Sequence, residues 1–147
     1  MSTTSTAPAV DIRRSDPVSV DTPAPPRVWR VGIVAGVVAS VATVIVAVLA
    51  DAAGASLEIA GETIPYIGFA NLTMIGAVIG IALAAVLARR ARQPRSTFVR
   101  ITVALTVLSL VPDVIADAEV ATRMVLGFTH VVAAAIIVPA IARRLAA

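Results

Sequence analysis

Four apolar stretches divide this chain, and eleven of its twelve arginines fall on one side of the alternating pattern that they make. Arg13, Arg14, Arg27 and Arg30 precede the first stretch. Arg89, Arg90, Arg92, Arg95 and Arg100 lie between the second and third, and Arg143 and Arg144 follow the fourth. The two remaining connections hold Asp51, Glu58, Glu62, Asp113, Asp117 and Glu119, with Arg123 as their single base. Arginine in a short loop resists transfer across the bilayer during insertion, so its distribution assigns a side to each loop. The pattern predicts an all-α membrane protein, a four-transmembrane-helix antiparallel bundle, multi-pass in the inner (plasma) membrane with both termini cytoplasmic.

Composition supports this reading. The chain has 147 residues, of which 59% are hydrophobic and 14% charged, whereas soluble domains carry roughly a quarter charged residues. The net charge of +3 is no sign of nucleic-acid binding, because eleven arginines against three aspartates fall on one side and one arginine against six acids on the other. Positive charge beside membrane helices faces anionic headgroups, so the lipid bilayer is the first expected partner. Cysteine is absent, which excludes disulfides, thiolate metal sites and iron–sulfur clusters. No cofactor is expected.

Residues 1 to about 27 combine Ser, Thr, Pro, Ala and Asp without an apolar period. Such a segment buries too little surface to offset its ordering entropy and reads as a disordered cytoplasmic tail. The membrane domain then occupies 28–147, with helices expected at about 28–50, 65–88, 97–116 and 123–143. The first uncharged run, Val31 to Ala50, is about 30 Å long as a helix, one hydrocarbon thickness. It exceeds the h-region of a signal peptide and follows a long polar tail, which argues for an anchor rather than a cleaved leader. Between the first two spans, apolar and acidic residues alternate about Ala60-Gly61 over 57–64. That fits either a short β-hairpin or an irregular loop. The third span is ambiguous, because Pro112 and Asp113 follow only eleven uncharged residues. Either the helix crosses from Thr97 to about Ala116 with a break near the proline, or it stops at Val111 and 112–121 form a short surface helix.

Small residues recur at four-residue spacing, Gly32, Gly36 and Ser40 on the first helix and Gly76, Gly80 and Ala84 on the second. Such stripes let backbones approach closely and predict helix packing within the chain, within a homo-oligomer or against a membrane protein partner. Polar residues at membrane depth are the candidate chemistry. Asn71 lies six residues inside Pro65 and His130 seven inside Arg123, ~9–10 Å below the boundary. Antiparallel pairing about Ala118–Glu119 puts Asp113 opposite Leu126, one turn from His130, so Asn71, Ser109, Asp113 and His130 are expected to converge. Ionisable groups in the membrane face the bundle interior and are functional candidates. Asp113 with His130 makes a proton-carrying pair, or alternatively a structural one that locks the helices. Asp113, Asp117 and Glu119 form an acidic rim that could gather a cation or simply be solvated. One histidine and no ligand spacing leave no metal site. A Ser109–His130–Asp113 triad has no flanking motif to support it, so no enzyme is predicted.

Ile64-Pro65-Tyr66-Ile67-Gly68-Phe69-Ala70, Ser109-Leu110-Val111-Pro112-Asp113 and Thr129-His130-Val131-Val132-Ala133-Ala134 together resemble a family of small four-helix membrane proteins from actinobacteria, a domain of unknown function. The likeness covers roughly Arg30 to Leu145 and implies the topology without an activity. Small multidrug exporters are a poor match, since they depend on an acidic residue in the first helix and Val31 to Ala50 has none. The leading expectation is a non-enzymatic component acting by helix, partner or lipid contact. A small proton-coupled carrier using Asp113, His130 and Asn71 is the alternative, and an intramembrane enzyme the third.

Overall fold

The computed structural model of the chain describes residues 25–145. Residues 1–24, most of the expected tail, lie outside the described residues. Four helices form: α1 Pro25–Ala52, α2 Tyr66–Arg90, α3 Pro94–Ile115 and α4 Val120–Ala142. Each is long and apolar enough to cross a membrane. Helices suit that setting because every backbone bond closes within the segment, leaving none to be satisfied by lipid.

The helix ends follow local chemistry. Arg89 and Arg90 occupy the last turn of α2, where positive charge complements the helix dipole. Pro94 opens α3, using a position whose N–H would be unpaired anyway. Its ring keeps Gln93 out of the helical region, with φ of −130° and ψ of 75°, and α2 and α3 are joined by three residues. Pro112 does not end α3, which runs on to Ile115. Only one turn remains after the proline, so a single lost backbone bond is the cost, and no separate surface helix forms. Pro139 is likewise accommodated inside α4.

The hairpin reading of the first loop holds. Strands β1 Glu58–Ile59 and β2 Glu62–Thr63 pair antiparallel, with Glu58 opposite Thr63 and Ile59 opposite Glu62. Ala60 and Gly61 have φ of 52° and 80°, the left-handed pair of a two-residue hairpin turn. Leu57, 2% exposed, anchors the hairpin in a small core with Ala47, Ala55 and Phe69. The Ala60 N–H donates to the Asp117 carbonyl at 2.8 Å, tying the hairpin to the α3–α4 connection.

The larger core lies at the opposite, arginine-bearing end, where Val28, Ala84, Phe98, Ile141 and Leu145 meet. The start of α1 and the end of α4 therefore share one end of an up-down-up-down bundle. Helix α1 packs closely on both α2 and α4, and α3 packs mainly on α4. The α2–α3 seam is the loose one. At the α1–α2 interface Gly32 faces Ile81 and Gly36 faces Ala77 and Met74 so closely that a Cβ at either glycine would collide. The Ser40 hydroxyl donates to the Ala70 carbonyl at 3.1 Å. Thr43 gives its proton to the Ser40 carbonyl at 3.0 Å, so Thr73 is the donor in the 3.1 Å Thr43–Thr73 contact.

Candidate functional site

Helix α3 carries Thr102, Thr106, Ser109 and Asp113 at spacings of four, three and four residues, which places them on one face of a helix. That face meets α4 at its far end. Asp113, 8% exposed, brings Oδ2 to 3.0 Å from Nδ1 of His130. The same nitrogen lies 3.0 Å from the Leu126 carbonyl of its own helix. One ring N–H thus stands between two acceptors. The Leu126 carbonyl already accepts the Thr129 hydroxyl at 2.7 Å, whereas Asp113 Oδ2 is buried with no directed hydrogen bond of its own. The pair is held at contact distance but off the ideal axis. With Nδ1 so occupied, Nε2 is the ring's open edge.

His130 belongs to the wall of a cavity of about 420 Å³ between α2, α3 and α4. The cavity follows the loose α2–α3 seam, with Phe69 and Leu83 at its limits on α2 and Phe98 at its arginine end on α3. From Phe69 to Leu83 is about 21 Å of helix. Its walls are almost wholly apolar. The hydroxyls along it are turned to backbone: Thr102 to the Phe98 carbonyl at 2.8 Å, Thr106 to Thr102 at 2.8 Å and Ser109 to Thr106 at 2.7 Å. Each satisfies itself and presents carbon to the space.

The expected four-residue cluster is therefore corrected to a pair with a neighbour. Asp113 and His130 meet, and Ser109 lines the same cavity with its proton committed to α3. Asn71 lies apart. It is exposed and faces a second, shallower groove between α1 and α2 with Val37, Val41 and Met74. The helical phase explains this: Thr73 points to α1 and Leu72 to the cavity, which leaves the Asn71 direction facing out. The acidic rim also separates. Because α3 ends at Ile115, Asp117 leaves the helical face of Asp113 and is exposed in the connection beside Glu119. Among the described residues no group of three acids or histidines could hold a metal ion.

The small-residue stripe on α2 divides as well. Ala84 is fully buried and Gly80 lies near Ile137 and Ile141 of α4, but Gly76 has open space around it and lines the cavity. Ala77 and Ile81 are the residues that meet Gly36 and Gly32. Two features had no place in the sequence reading. The hydroxyl stripe of α3 was legible as its spacing. The hydrogen bond from the Tyr66 hydroxyl to Asp51, which joins the first residue of α2 to the end of α1, had no signal beyond proximity to one interface.

No curated protein and no solved structure matches the chain. A sequence family does, over residues 23–147, all four helices included, and the chain belongs to it: the family of unknown function DUF6069.

Proposed function

We propose that this protein is a non-enzymatic membrane component that holds the apolar chain of an amphiphile, such as a lipid, along the α2–α3 seam. The observation that carries the reading is the cavity itself, apolar, about 420 Å³ and open between two helices. In a bilayer such a space faces hydrocarbon. A transmembrane helix ~10 Å wide and ~30 Å long fills roughly 2,000 Å³, so a partner helix is far too large. A flexible chain suits both its length and its lining. The polar group of the amphiphile meets the free edge of His130, and the chain runs toward Phe98. The arginine end faces the cytoplasm and anionic headgroups, in a plasma membrane. Ser109, bonded within its own helix, supports a binding role over a nucleophilic one.

Gly76→Leu tests this, because Gly76 lines the cavity and a Cβ there meets nothing within 4 Å. Native mass spectrometry from mild detergent should find a bound amphiphile on the parent protein and at least tenfold less on the folded variant. Equal occupancy would reject the site.

A second reading rests on the Asp113–His130 contact. A carboxylate and an imidazole at 3.0 Å inside a membrane bundle are the parts of a proton relay. Proteoliposomes containing Asp113→Asn or His130→Ala protein would then lose proton-coupled flux, and unchanged flux would remove the carrier reading.

A further inference from the structure

We infer that a second copy of this chain docks on the α1–α2 face, with Asn71 of each copy bonded to Asn71 of the other. The contacts of Ala70 with Ser40 and of Thr73 with Thr43 bracket Asn71 at the level of Ser40–Thr43, ten residues or so from the end of α1. On α1 that level is near the middle of the span, and on α2 it is the second turn of the helix, inside the apolar run. Asn71 is exposed there, and no side-chain hydrogen bond among the described residues engages its amide. A carboxamide left in hydrocarbon costs several kcal/mol. The neighbouring hydroxyls of Ser40, Thr43 and Thr73 are spent on the α1–α2 contact.

The amide names its partner. It carries one acceptor and two donors, so the group that complements it best is another of its kind, related by a two-fold axis that makes two reciprocal bonds. An isologous interface of this sort needs a surface that fits its own copy. Around Asn71 the surface is a shallow groove of about 370 Å³ flanked by Val37, Val41, Val44 and Ile45. These β-branched side chains have essentially one rotamer in a helix and lose little freedom when covered. The face lies across α1 and α2, away from the α2–α3 seam, so the dimer leaves the cavity open to its amphiphile and does not depend on it.

The absence of native cysteine makes the test direct. Val41→Cys, exposed beside the groove, should form a disulfide-linked dimer in membranes, whereas Val114→Cys, exposed on α3, should not. Adding Asn71→Val should weaken the dimer, measured by energy transfer in liposomes, by at least about 3- to 20-fold in association constant, the range for one of the two interhelical hydrogen bonds it removes. Asn71→Gln should keep part of it. Asn71→Val replaces an exposed amide with a lipid-compatible side chain, so folding is not at risk. Equal cross-linking at Val41 and Val114, an unchanged association constant in Asn71→Val, or cross-linking of the 41 position to a different protein instead would each overturn the dimer.

Discussion

Nδ1 of His130 lies 3.0 Å from Oδ2 of Asp113 and 3.0 Å from the Leu126 carbonyl, and it is the contact that closes the acidic-end half of the α3–α4 interface. Asp113 follows Pro112, whose missing N–H frees the Leu108 carbonyl one turn back. The α3 backbone is thus weakest where it carries its buried acid, and α4 supplies the compensation through one imidazole.

His130→Ala removes that compensation and leaves the carboxyl group buried without a partner. We expect a loss of about 1–3 kcal/mol in unfolding from detergent by SDS titration. His130→Ala combined with Asp113→Leu should recover much of the loss, since no polar group is then stranded. A double-mutant coupling near zero, against the ~0.6–1.7 kcal/mol measured for such pairs in membrane proteins, would show that the contact contributes nothing.

Glycines on the two helices should respond in opposite ways to the same added carbon. At Gly32 a Cβ would sit 2.3 Å from Ile81 Cγ1, and at Gly36 2.8 Å from the Ala77 Cβ. Ile81 and Ala77 are buried and cannot turn aside, so the helices must separate. Gly32→Ala and Gly36→Ala should each cost about 1–3 kcal/mol. Gly76→Ala meets nothing within 4 Å and should be neutral or slightly stabilising through helix propensity. Equal effects at Gly36 and Gly76 in the same unfolding assay would contradict the packing described.

These glycines also mark where the sequence was legible. Four helices followed from hydropathy, because a span must be continuously apolar whatever its neighbours are. The Asp113–His130 contact followed from register, since a short turn fixes which residues of two adjacent helices are level. Orientation about the helix axis did not follow. Lipid-facing and partner-facing sides are both apolar here, with Ile79 exposed and Ile81 buried two positions on, so no amphipathic pattern separates Gly76 from Ala77 or Asn71 from Thr73. The cavity was illegible for a related reason: it is a place where two helices fail to touch. Whether α3 would pass through Pro112 rested on the few residues left beyond it, which periodicity does not weigh.

Among the described residues two non-glycines, Leu57 and Ala60, have positive φ, and Ala60, exposed in the turn, is the one that a single substitution should relieve. Its φ of 52° costs an alanine roughly 1–2 kcal/mol, while Asn-Gly is the preferred pair for this turn. Ala60→Asn should raise the unfolding midpoint by the equivalent of about 1 kcal/mol and keep the N–H that bonds Asp117. Ala60→Pro deletes that N–H and forces φ negative, so it should release the hairpin and expose the Ile64 amide, which donates to the Leu57 carbonyl, to hydrogen exchange. An unaltered exchange pattern in Ala60→Pro would mean that the Asp117 bond does not hold the hairpin down.

The bundle places the 91–93 connection and the hairpin loop at opposite ends, since α2 runs the length of the span between them. Arginine density then decides which end is retained. Alkaline phosphatase fused at Gly54 should be active and at Gln93 inactive, with a cytoplasmic reporter giving the converse. The five arginines from Arg89 to Arg100 are the densest part of this bias, because they sit in or beside the shortest loop and flank two spans. Changing Arg89, Arg90, Arg92 and Arg95 to Gln should produce mixed orientation at Gln93, while Arg123→Gln, the lone base among six acids, should change nothing. Fixed orientation in the four-arginine variant would shift the determinant to Arg27 and Arg30 before α1, a difference that fusions to the same two sites in an Arg27→Gln, Arg30→Gln background resolve.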